Sequence, residues 1–155
     1  MSGFVHATAV IVGERAVLIR GASGSGKSSL GLALLARAAL VGRFAALVGD
    51  DRVRLEPHGG RLLVGTHPEI AGRIERRAFG IVAVAHERAA IVGIVVDLLA
   101  AGGAVERLPM PGETRVCLHN IWLPRLALAS GIGTHDRAEA VFAALSDFLM
   151  AGKQE

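Results

Sequence analysis

Apolar positions along the chain fall into short β-branched runs and two stretches at helical spacing, and this pattern predicts an α/β domain. Residues 4–12 and 15–20 are strand-type runs separated by Gly13-Glu14, which predicts a hairpin. Residues 30–39 carry helical character and should stop near Val41-Gly42. A buried strand at 44–48 runs directly into Gly49-Asp50-Asp51. A second hairpin follows, with residues 52–55 and 61–64 flanking Pro57-His58-Gly59-Gly60 and leaving His58 in the turn. Residues 65–70 are irregular with a short helical turn, and 73–77 are densely charged. Residues 79–84 and 91–98 are apolar strands. Between Gly102-Gly103 and the last β-type segment lies a loop containing Glu106-Arg107-Leu108-Pro109. Residues 114–128 are β-type but interrupted by Pro124, which demands an edge strand or a bend; His119 and Trp122 there read as packing residues. After a linker at 130–133, Ala138, Val141, Phe142, Leu145, Phe148 and Leu149 recur at helical spacing and predict an amphipathic closing helix. The hairpins argue for a mixed or antiparallel-rich sheet over a purely parallel one.

Composition narrows the functional classes. With 155 residues and 52% hydrophobic content, the chain suits one domain spanning 1–155. Its formal net charge of +3 comes from 17 basic and 14 acidic residues that are interspersed, which argues against nucleic-acid or membrane-surface binding. Cys117 is alone, so a disulfide framework is not expected and a reducing compartment is. Met1 to His6 show no basic segment followed by an apolar core, and the apolar run around residues 89–105 is broken by Asp97. The expectation is a cytoplasmic protein.

The candidate chemistry centres on Gly21-Ala22-Ser23-Gly24-Ser25-Gly26-Lys27-Ser28, a full match to the phosphate-loop pattern G-x-x-x-x-G-K-[ST]. The glycines allow consecutive backbone N–H groups to turn toward an anion, Lys27 reaches terminal phosphates, and the Ser28 hydroxyl is placed to ligate Mg²⁺. Only Lys27 and Lys153 are lysine, so the single internal lysine occupies the position that needs a flexible ammonium. Asp50 and Asp51 end a strand one helix downstream, where open α/β sheets place their chemistry. Neighbouring strand residues point to opposite faces, so the pair can divide a proton-handling role from a metal role. Glu75 is available to a metal shell and the arginines beside it to phosphate. His6 reads either as a half-buried strand histidine or as a polar group near the phosphates.

The order of these blocks resembles the catalytic domain of HPr kinase/phosphorylase. Val5-His6-Ala7, the loop from Gly21 to Ser28, Leu47-Val48-Gly49-Asp50-Asp51, Ile74-Glu75-Arg76-Arg77-Ala78-Phe79-Gly80-Ile81 and Glu106-Arg107-Leu108 match its motifs in sequence. The resemblance implies a P-loop kinase fold of the HPr kinase and PEP carboxykinase-like type, a mixed sheet with flanking helices. It implies an ATP- and Mg²⁺-dependent serine kinase acting on an HPr-like phosphocarrier, a short form with the catalytic domain only, and homo-oligomers. By the same resemblance, Asp50 deprotonates the attacking serine and Ser28, Asp51 and Glu75 lie near the metal. Arg107 neutralises the transferring phosphoryl and His6 lies beside the phosphates. Ala78 and Phe79 depart from the family's glycine and leucine, and two loops of the fuller members are missing. Those loops serve docking or the reverse phosphorolysis. Two other readings remain open at this stage: a P-loop kinase with another acceptor, and a regulatory ATP-binding module without chemistry.

Overall fold

A computed structural model describes residues 3–100, 114–129 and 131–152, with side chains described through residue 147. The strands are β1 (Gly3–Val5), β2 (Ala7–Val12), β3 (Arg15–Gly21), β4 (Ala45–Gly49), β5 (Val53–His58), β6 (Arg61–Thr66), β7 (Arg73–Arg76), β8 (Gly80–Ala83), β9 (Ala89–Leu98), β10 (Arg115–Leu118) and β11 (Ile121–Leu128). Two helices, α1 (Lys27–Leu40) and α2 (Thr134–Gly152), complete the fold with a 3-10 turn at Pro68–Ile70.

The main sheet runs β1-β5-β6-β9-β3-β2-β4, with β11 joined to β9 and β10 to β11. β9 is its hub: ten residues long, it pairs antiparallel with β6 through Ala89 to Ile91 and parallel with β11 through Val95 to Leu98. It also pairs parallel with β3, so the carboxyl ends of β3, β9 and β11 meet around Gly21, Leu98 and Leu128. Because β2 is antiparallel to both β3 and β4, the carboxyl end of β4 lies at that same edge. The strand period of two then separates two cores. Val17, Ile19, Ile94 and Val96 face the helices with Leu30, Leu34 and Val141, whereas Ala16, Leu18, Val92 and Val95 face the side closed by Leu55, Leu62 and Val64.

The mixed sheet, both expected hairpins and the closing helix are present, with three local differences. His58 ends β5 opposite Arg61, so the second hairpin turns on Gly59-Gly60 alone. The run at 4–12 is interrupted at His6: β1 leaves to pair with β5, while β2 pairs with β3 and β4. Residues 114–128 form a hairpin, with His119 and Asn120 both at positive φ in its turn, as a two-residue connection with the sheet's twist requires. Pro124 lies inside β11 opposite Arg115. Trp122 packs against no core; it is 60% exposed, with the Arg115 guanidinium 5.5 Å over its ring.

Candidate active site

The loop between β3 and α1 is built by local backbone chemistry. Gly24 and Gly26 take φ of 81° and 101°, a left-handed conformation glycine adopts freely, and Gly26 caps α1 in that state. A Cβ on Gly21 would sit 2.5 Å from Ser25 Oγ and 3.1 Å from the Leu98 carbonyl, so the strand end has room only for hydrogen. The N-terminus of α1 aims its unpaired N–H groups into the loop, a ready anion site. Lys27 is buried with its Nζ 3.0 Å from the Gly21 carbonyl and 3.1 Å from that of Ala22. The loop lines a cavity of about 250 Å³ shared by Lys27, Ser28, Asp51, Glu75 and Arg77.

The two aspartates at the end of β4 diverge. Asp50 turns inward and is 7% exposed. Its Oδ1 accepts the hydroxyls of Thr8 and Ser28, each at 2.7 Å, and its Oδ2 accepts the Glu75 backbone N–H at 3.1 Å. Three donors converge on this carboxylate and fix β2, α1 and β7 around it. Asp51 has a φ of 66° and turns outward, where its Oδ1 is hydrogen-bonded to His6 Nε2 and its side chain lines the cavity. The break of the first strand at His6 is what brings this imidazole to Asp51.

On the other sheet face, Asp97 accepts from Arg20 Nε at 2.7 Å and from Arg125 Nε at 2.5 Å, next to the start of the loop. Burial pushes the Asp97 carboxyl up, but hydrogen bonds from Arg20 and Arg125 outweigh it and leave the group below its usual range. The Arg20 guanidinium is raised, chiefly by its hydrogen bond to Asp97. The sequence signal was Asp97 itself, a lone charge in an apolar run and hence a buried partner for cations.

The structure therefore brings together His6, residues 21–28, Asp50, Asp51 and Glu75. Arg107 lies outside the described residues. Thr8 and Arg137 of α2, which donates to the Ser25 carbonyl at 2.9 Å, are site neighbours that sequence reasoning missed. Among the described residues no group of three or more His, Cys, Asp or Glu is set to enclose a metal, and no helix is long and apolar enough to cross a membrane. The donors present instead suit Mg²⁺, which is held by one or two carboxylates together with substrate phosphates and water. The Ser28 O–H donates to Asp50, which leaves the hydroxyl lone pairs free for a cation.

A glycine loop between a parallel strand and its helix, with carboxylates at the adjoining strand end, places the molecule in the P-loop α/β class. The family model for the HPr Serine kinase C-terminal domain matches residues 2–99, and the chain belongs to that family. The fold is similar to that of the Hpr(Ser) kinase/phosphatase from Coxiella burnetii, with a TM-score of 0.76 and 22% identity over 97% of this chain and 99% of that one. No curated protein matches the sequence.

Proposed function

We propose that this protein is an ATP- and Mg²⁺-dependent kinase, one catalytic domain over residues 1–155, that phosphorylates a serine of an HPr-like phosphocarrier in the cytoplasm. The observation that carries this reading is the outward Asp51, hydrogen-bonded to His6 on the wall of the phosphate-loop cavity. Family membership supports the acceptor class.

In this reading the two carboxylates exchange the roles expected of them from the family motif. Asp50 is buried and already accepts from Thr8, Ser28 and the Glu75 N–H, which leaves Asp51 as the carboxylate more open to an acceptor hydroxyl. Asp50 orients Ser28. Asp51 is the group that meets the acceptor: it takes the serine proton as the hydroxyl oxygen bonds to the γ-phosphorus, and the bond to the β-phosphate oxygen breaks to release ADP. His6 positions Asp51. Lys27 neutralises the terminal phosphates, and Arg107 serves the transferring phosphoryl. Ser28 and Glu75 would hold Mg²⁺, which when bound supplies further charge neutralisation.

The test is incubation with [γ-³²P]ATP, Mg²⁺ and a panel of HPr-like carriers. Labelled phosphoserine on a carrier is the expected result. ATP turnover without transfer to any carrier would point to another acceptor, and nucleotide binding without turnover to a regulatory module.

A further inference from the structure

Arg137 stands in the first turn of α2, outside the span of the family model, yet it touches the centre of the phosphate loop. Its Nη1 donates to the Ser25 carbonyl at 2.9 Å and its Nη2 to the Ala129 carbonyl at 3.2 Å. A Cβ built on Gly26 would lie 3.0 Å from Nη1, so the guanidinium is packed directly behind the loop. The side chain is only 6% exposed, and its Nε has no hydrogen-bond partner.

This placement violates two rules at once. A buried guanidinium is ordinarily paired with a carboxylate, but among the described residues Arg137 has only carbonyl partners. A cation in the first turn of a helix also meets the positive end of the helix dipole. Such local conflicts are the usual mark of a functional group. The anion that this charge lacks among the described residues is the one the loop is built to receive.

We propose that Arg137 is a positioning residue whose buried charge is balanced by the bound nucleotide's polyphosphate and whose fork fixes the Ser25 carbonyl, coupling α2 to the phosphate loop. This rests on the nucleotide reading of the loop. Because the guanidinium lies on the carbonyl side of the loop, it acts through the backbone and the field, while Lys27 makes the direct approach.

Charge and tether are separated by two variants, Arg137→Lys and Arg137→Gln. Lysine keeps the charge and glutamine keeps a hydrogen-bond donor. Binding of Mg·ADP and a non-hydrolysable Mg·ATP analogue is measured by calorimetry alongside the melting temperature of the free protein. The expected result is wild-type binding retained within a few-fold in Arg137→Lys and weakened about tenfold in Arg137→Gln, as loss of a unit charge packed behind the loop implies. Free Arg137→Gln should melt no lower than free Arg137→Lys, since losing an unpaired buried charge offsets the lost contacts. Equal affinity in all three proteins, or affinity that merely follows the melting temperature, would overturn the proposal. Failure of the wild-type protein to bind either nucleotide would overturn the nucleotide reading itself, and this inference with it.

Discussion

Ser28 donates its hydroxyl to Asp50 at 2.7 Å, tying the first turn of α1 to the end of β4. Asp50 thereby belongs to the phosphate loop's own framework and Asp51 to the cavity wall. The behaviour of the site follows from that division.

The proposed role of His6 runs through its hydrogen bond to Asp51. Replacing His6 with Ala removes the partner that orients the exposed carboxylate and leaves the loop untouched. Steady-state kinetics should show kcat reduced about tenfold with the KM for ATP nearly unchanged, the pattern of an interaction used only in the transition state. A raised KM with unchanged kcat would place His6 on the nucleotide instead.

Helix α1 approaches the sheet closely at Gly31. A Cβ there would stand 3.2 Å from Thr8 Cγ2 and 3.5 Å from both Ile74 Cδ1 and Val10 Cγ1. Gly31→Val overpacks this contact and pushes on Thr8, a donor to Asp50. Chemical denaturation should register a loss of about 1–3 kcal/mol. Nucleotide affinity should fall as well.

Asp97 gives the site a pH dependence. Its carboxyl is lowered in the folded state, so it contributes stability that is present above the unfolded value of about 4 and is lost as pH falls through the folded pKa. Asp97→Asn should destabilise the protein by about 1–3 kcal/mol at pH 7, because Arg20 and Arg125 lose their shared carboxylate. The gap in melting temperature between the two proteins should hold from pH 7 to about 5 and narrow progressively as pH falls below about 4, through the lowered folded pKa. A gap that does not narrow at all as pH falls below about 4 would mean that packing, not charge, makes the difference.

Much of this was legible in the chain. The glycine spacing and the unbroken apolar run Ala16 to Ile19 place the loop between a strand and a helix, because both signals are local. The Asp50-Asp51 pair was legible as a pair, but β4 ends at Gly49, so their divergence comes from the turn at Asp51 and not from strand alternation. Which aspartate turns inward was not legible, since it depends on β2 lying beside β4 and bringing Thr8 to Asp50 across 42 positions. The positive φ at Asp51 is fixed by the same tertiary context. Arg137 reaches Ser25 across 112 positions, and no local pattern encodes such a contact. Trp122 misled for the opposite reason: its type suggests burial, but the hairpin turn at His119-Asn120 sets it on the open face.

The most direct measurement is single-turnover transfer from ATP to a carrier by Asp51→Asn and Asp50→Asn, with Mg·ATP-analogue affinity measured on the same preparations. Asparagine tolerates the positive φ at position 51, so Asp51→Asn keeps its backbone. Asp51→Asn should bind nucleotide within about twofold of wild type while transfer falls at least a hundredfold. Asp50→Asn should lose metal-dependent nucleotide affinity together with transfer, as Ser28 loses its anchor. Transfer that survives in Asp51→Asn, or collapses in Asp50→Asn with affinity intact, would contradict this division of roles.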